Sequence, residues 1–134
     1  MFWTMMASSL AATPPPVVNG QLTSDWPAVG MLVACAHDCQ QYCSATLIQS
    51  QWLLTAAHCA EAALGELSSH THFFSYGPSI YDLDGYEEIA GWEIHPGYGY
   101  QNDLIVNDLA LVRLTSSLLG VEPIPLNKEP VNSS

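Results

Sequence analysis

The chain has 134 residues, 49% of them apolar, which is enough for one domain with a real core and too few for two of ordinary size. That apolar share excludes a disordered chain. Lys and Arg total 2 against 13 Asp and Glu, a formal net charge of −11; phosphate backbones and anionic lipid surfaces are repelled by such a chain, so no nucleic acid and no membrane surface is expected as a partner.

Residues 1–16 read as a leader, a signal or pro segment. Met1 to Ala12 is apolar and rich in small residues, and Ser9-Leu10-Ala11 has the pattern of a small-x-small cleavage site. No Lys or Arg precedes it, so a signal peptide with a clipped start and a plain leader stand as equal readings. It is too short to span a bilayer. Thr13-Pro14-Pro15-Pro16 is an extended spacer that separates it from the domain. Asp25-Trp26-Pro27 predicts a turn, and Val29 to Cys35 the first strand, an almost unbroken apolar run. Ala36 to Gln41 reads as a polar loop and Tyr42 to Gln49 as the second strand.

After a short turn, Trp52 to Thr55 is a third β-prone run. It breaks into Ala56 and Ala57 and then presents His58 beside Cys59. Taken alone, His58 reads as a buried histidine at a strand end. Ala60 to Leu67 has helical spacing for one or two turns. Ser68 to Tyr76 alternates polar and aromatic residues, which predicts an exposed strand. His70 and His72 share one face of it, but no further ligand stands at metal spacing, so the expectation is a solvated face and no metal. Asp82, Asp84, Glu87 and Glu88 then cluster. Carboxylates are right for calcium, yet acidic residues occur throughout the chain; no cofactor is expected, and calcium has only this cluster to occupy.

Tyr86 to Ile94 predicts a further strand. In Asn107 to Leu114 a carboxylate, Asp108, stands at the mouth of an alternating apolar run. Asp103 competes with it five residues earlier; Asp108 is preferred because the strand begins there. By itself it reads as a strand-capping aspartate. Cys35, Cys39, Cys43 and Cys59 form an even set without the CxxC spacing of a zinc ribbon. Disulfides account for them better and imply an oxidising compartment, extracellular or periplasmic.

Several of these stretches carry a resemblance. Trp52-Leu53-Leu54-Thr55-Ala56-Ala57-His58-Cys59 resembles the histidine motif of the chymotrypsin/trypsin family of serine endopeptidases at every position that motif specifies. Cys43-Ser44-Ala45-Thr46-Leu47-Ile48 is similar to the family's Cys-Gly-Gly-Ser-Leu-Ile, and His95-Pro96-Gly97-Tyr98 to its His-Pro-x-Tyr landmark, whose histidine is structural. Asp108-Leu109-Ala110-Leu111-Val112-Arg113-Leu114 is close to Asp-Ile-Ala-Leu-Leu-Lys-Leu. The resemblance runs from Val17 to about Leu126.

It implies an all-β fold, a six-stranded antiparallel Greek-key barrel that is the first of the two barrels of a trypsin-like protease. Residues 17–126 would form that barrel and 127–134 a polar tail or interdomain linker, ending in the N-glycosylation triplet Asn132-Ser133-Ser134. His58 would be the general base and Asp108 its orienter, accepting the Nδ1 proton and stabilising the imidazolium. Alignment with the family pairs Cys43 with Cys59 and leaves Cys35 for Cys39, a bridge that is not a usual family feature. Val17 becomes a candidate mature amino terminus, with a strand entering the domain as the equal alternative; Pro16 stands where relatives' zymogens carry Arg or Lys. Some relatives have a calcium loop near Asp82 to Glu88.

The Gly-Asp-Ser-Gly-Gly nucleophile segment is not among these residues, and Ser44, Ser50 and Ser79 lack the flanking glycines of a nucleophile turn. A serine-type endopeptidase acting on polypeptides is thus expected by family, in a chain that does not cleave by itself. A non-catalytic protease-like binding module, a half enzyme completed in trans and a decaying fragment are the alternatives. The face bearing His58 and Asp108 is expected to be partly apolar and exposed.

Overall fold

The computed structural model describes residues 19–131, so the leader, Val17 and the Asn132 triplet lie outside the described residues. Eight strands and one helix follow in chain order: β1 (Val29–Cys35), β2 (Cys39–Gln49), β3 (Trp52–Thr55), α1 (Ala57–Leu64), β4 (Thr71–Tyr76), β5 (Gly85–Ile94), β6 (Gly99–Gln101), β7 (Leu104–Val106) and β8 (Ala110–Leu114). Six close into an antiparallel barrel in the order β1-β2-β3-β8-β5-β4, while β6 and β7 form a separate hairpin. Strand β8 enters between β3 and β5, which gives the expected Greek-key barrel. Closure removes the unpaired edges that an open sheet would present.

Period-two alternation selects the inner face. On β1, Gly30, Leu32 and Ala34 are buried while Met31, Val33 and Cys35 stand on the outer face. Leu32, Leu47, Leu53, Phe74, Val112 and Leu114 are the largest fully buried side chains, each stabilising the fold by about 1.5–3 kcal/mol. Gly30 faces Tyr76 across the β1–β4 pair, and a Cβ there would lie 2.5 Å from the Ser75 carbonyl oxygen and 2.6 Å from the Phe74 ring. The chain leaves the barrel by sealing it: Leu118 N–H donates to the Ser50 carbonyl at 2.7 Å and Ile124 N–H to that of Leu47 at 2.9 Å, with Val121 and Ile124 packed on the core.

Three sequence expectations change here. The polar loop after Cys35 is shorter than expected, because Cys39 pairs directly with Cys35 and β2 continues through Gln40 and Gln41. Disulfides join Cys35 to Cys39 across that hairpin and Cys43 to Cys59. The helix starts at Ala57 rather than Ala60, so His58 and Cys59 ride on its first turn.

The third change is that β4 is no exposed strand, and His70 and His72 do not form a solvated face. Phe74 and Ser75 are buried, and the aromatic residues that suggested an exposed strand fill the barrel wall. His72 lies edge-on to Tyr42 and Trp92. Its Nε2 is 3.0 Å from the Leu67 carbonyl, which only accepts, so Nε2 carries the proton and Nδ1 accepts from the Tyr42 hydroxyl at 3.0 Å. Burial holds the imidazole below the ordinary histidine range, with the bond to Leu67 opposing and nearby His70 assisting.

A histidine with a lowered folded pKa takes up its proton more readily when unfolded. Its contribution to stability is complete above the unfolded value of about 6.5 and falls away as the pH drops below it towards the folded value. Urea midpoints measured from pH 7 to pH 5 should therefore fall more steeply for the native chain than for His72→Gln. Parallel profiles would remove His72 as the cause.

Candidate active site

Two short side chains put His58 where it is. Thr55 ends β3, its hydroxyl donating to the Ser44 carbonyl at 2.8 Å. Ala56 keeps an extended conformation (φ −81°, ψ 147°) as the residue that opens α1, but has no side-chain oxygen to cap the helix. Ala57 and Ala60 are fully buried against Ala110, with Trp92, Ile94 and Tyr98 around them. Only methyl groups intervene, so α1 lies close on the barrel at the start of β8. The Cys43–Cys59 bridge, with Cα atoms 6.1 Å apart, ties the same turn to β2.

Asp108 supplies the cap that Ala56 lacks. Its Oδ1 accepts the His58 backbone N–H at 2.8 Å and its Oδ2 lies 2.7 Å from His58 Nδ1. The first bond satisfies an otherwise orphaned donor of the helix's first turn, where negative charge is also favoured by the helix dipole. A carboxylate only accepts, so Nδ1 holds the imidazole proton and Nε2 keeps its lone pair. That second nitrogen lies 3.5 Å from Cys59 Sγ. The side chains are 57% exposed for His58 and 29% for Asp108.

The Asp108 carboxyl is held below its ordinary range, first by the imidazole bond and then by the backbone N–H of His58, against partial desolvation. Because this pKa is depressed on folding, the stability it carries is present above the unfolded value of about 3.9 and is lost as the pH falls through the folded value.

Asp108 is not part of the strand that was expected to begin there; β8 starts at Ala110, and the aspartate projects from the turn before it. Asn107 makes that turn. Its backbone is left-handed (φ 52°) and its side-chain amide donates to the Gly97 carbonyl at 2.9 Å. The His95 N–H donates to the Leu109 carbonyl at 2.9 Å, closing the other side. Tyr98 adds a brace from its hydroxyl to Glu61 on α1 at 2.7 Å, a bond that pushes the phenol up to about 12. The sequence reading assigned Asn107, Tyr98 and Glu61 no task. The available signal was an Asn directly before the aspartate, a residue that tolerates left-handed backbone.

Asp103 lies apart. With Asn102 it has positive φ (62° and 50°), the pattern of the two-residue turn that joins β6 to β7. The Asp82 to Glu88 carboxylates are not gathered either: Glu87 accepts from the Thr115 hydroxyl, and Glu88 pairs across the sheet with Phe73. Among the described residues, the group with enough ligand atoms close together to hold a metal is Cys43, His58 and Cys59. Two of its three members are spent in a disulfide. No helix among the described residues is long and apolar enough to cross a membrane.

The trypsin family model matches residues 18–134. The chain belongs to the trypsin family. It is similar to kallikrein-5 of Homo sapiens, 32% identical over 116 residues that make up 83% of this chain and 36% of that protein. Vitamin K-dependent protein C of Rattus norvegicus is 33% identical over 107 residues, covering 75% of this chain and 21% of its own length. Serine protease 1 of Drosophila melanogaster is 30% identical over 112 residues, or 75% and 39%. The chain thus spans about a fifth to two fifths of these trypsin-family relatives. Among solved structures, kallikrein-related peptidase 10 superposes with a TM-score of 0.58 at 20% identity, covering 81% of this chain and 46% of that one, a likeness of fold.

Proposed function

We propose that these residues supply the histidine and aspartate of a secreted serine endopeptidase acting on polypeptides. The observation that carries this reading is the double bond from Asp108 to His58, at 2.7 and 2.8 Å. It fixes the tautomer in which Nε2 can take a proton from an attacking hydroxyl and later return it to the leaving amine. Asp108 orients the ring and stabilises the imidazolium that forms between those steps.

The nucleophile and the donors for the developing oxyanion are roles that no residue here fills. Every serine in the chain lacks the glycine-rich surroundings those donors need. The 134 residues are therefore inactive by themselves. The exposed imidazole is the surface against which a serine-bearing barrel would close, in cis or from another chain. Two disulfides agree with an oxidising, extracellular or periplasmic setting.

A fluorophosphonate probe tests this. The pure chain should take up no label and hydrolyse no fluorogenic peptide. Joined to a serine-bearing barrel of a relative, it should gain labelling that His58→Ala abolishes. Labelling of the 134-residue chain itself would place the nucleophile among its own serines and overturn the division of roles. A non-catalytic binding module is the second reading. It is favoured by the closure of this barrel on itself and by the apolar groove on its outer wall.

A further inference from the structure

On the barrel's outer wall, far along the ring from β3 and β8, lies a groove of about 630 Å³. Met31 and Val33 of β1 and Phe73 of β4 make its floor. Tyr86 of β5, and Ile80 and Leu83 from the connection between β4 and β5, line it as well. These are not incidental surface residues. Tyr86 is 68% exposed, Ile80 49% and Leu83 44%, and Phe73 meets Tyr86 edge-on at 5.8 Å. The volume lies within the range of built ligand sites.

The rim has one sign of charge. Exposed Asp82 precedes Leu83, exposed Glu88 is the cross-strand partner of Phe73, and exposed Asp38 stands beside Cys39 at the hairpin end. The chain's two cationic side chains, Arg113 and Lys128, are both outside the lining. Arg113 is carried by β8, which stands opposite β1 in the ring. A low-dielectric floor rimmed by carboxylates concentrates cations while offering apolar contact.

We infer that this groove binds an extended polypeptide segment that alternates basic and apolar residues. The barrel has no free edge to which a strand could be added, so recognition must come through side chains rather than main-chain pairing. The outward residues Met31 to Cys35 span about 13 Å at strand spacing, room for roughly four residues of an extended partner. A second copy of the chain is disfavoured as occupant, because its rim and its net charge of −11 would face the same signs. The Cys35–Cys39 bridge holds the hairpin end of the groove in place.

The inference is separate from catalysis and needs no nucleophile, so its failure leaves the reading of His58 and Asp108 untouched. Fluorescence anisotropy on the full chain would use a short labelled Lys-Leu alternating peptide against its Glu-Leu counterpart. The Lys-Leu peptide should bind, more weakly as salt rises, and the Glu-Leu peptide should not. Tyr86→Ser should weaken binding about tenfold, since aromatic anchors dominate such contacts, and the triple change Asp38→Asn, Asp82→Asn, Glu88→Gln about tenfold again. Asp103→Asn, on the β6–β7 turn, should leave affinity unchanged, and circular dichroism would verify the fold of each variant. Absent binding, equal binding of both peptides, an equal loss in Asp103→Asn, or a dimer that Tyr86→Ser dissolves would each overturn the inference.

Discussion

Asp108→Asn should leave the barrel folded, shift the His58 proton from Nδ1 to Nε2 and, in a form completed by a serine-bearing barrel, lower kcat by about four orders of magnitude. The two carboxylate oxygens do different work, one taking the His58 backbone N–H and the other its ring Nδ1. Asparagine has only one acceptor. If its oxygen keeps the backbone N–H, its NH2 group faces Nδ1 and demands a lone pair there, so the proton moves to Nε2. That nitrogen can then no longer receive the nucleophile's proton. If the amide turns over instead, two donors face each other at the start of α1 and the helix loses its cap.

The first arrangement costs less, so the fold survives while the chemistry does not. Nitrogen-15 NMR of the 134-residue chain reads the tautomer directly, and labelling by the probe reads the catalytic loss in the completed form. An unchanged tautomer in Asp108→Asn would mean that the carboxylate does not orient the ring, and the proposed role of Asp108 would fall with it.

Much of the barrel was legible because its signals are local. The apolar run Val29 to Cys35 and the strand Trp52 to Thr55 read correctly as strands, and each buries one face in the barrel. Where the reading slipped, tertiary contacts outweighed local pattern. The polar residues Gln40 and Gln41 are in β2 because a disulfide and the β1 ladder hold them there. The aromatic run of β4 looked exposed, but Phe74 fills the barrel beneath Gly30.

The start of α1 was misplaced for a similar reason. Ala56 has no capping side chain, and the cap on the His58 N–H arrives from Asp108, fifty residues beyond that histidine in sequence. No local window contains that information. The braces around the site were equally invisible: Tyr98 to Glu61 and Asn107 to Gly97 are contacts between segments that only the fold brings together. The acidic groove rim depends on strand register, which sets Glu88 beside Phe73 on the outer wall.

Removing the Cys43–Cys59 bridge, as Cys43→Ala with Cys59→Ala, should lower the stability of the chain by about 3 kcal/mol. The bridge closes a loop with a sequence separation of 16, and in the chain-entropy account the loss arises in the unfolded ensemble. For a domain of this length the shift in Tm is roughly 10 °C. The Cys35–Cys39 bridge, with a separation of 4, supplies the internal comparison. The same account gives it about 2 kcal/mol, so the two double variants should differ by about 1 kcal/mol in urea unfolding. Equal losses would show that packing governs instead, since Cys59 is only 4% exposed and its replacement also opens space in the core. The two bridges should also differ in what they do to the site. Cys59 directly follows His58, and without its tether α1 is held by the alanine contacts, the Tyr98 brace and Asp108 alone. The Nδ1 proton signal of His58 should broaden in the first variant and stay sharp in the second, because the hairpin bridge touches none of those groups.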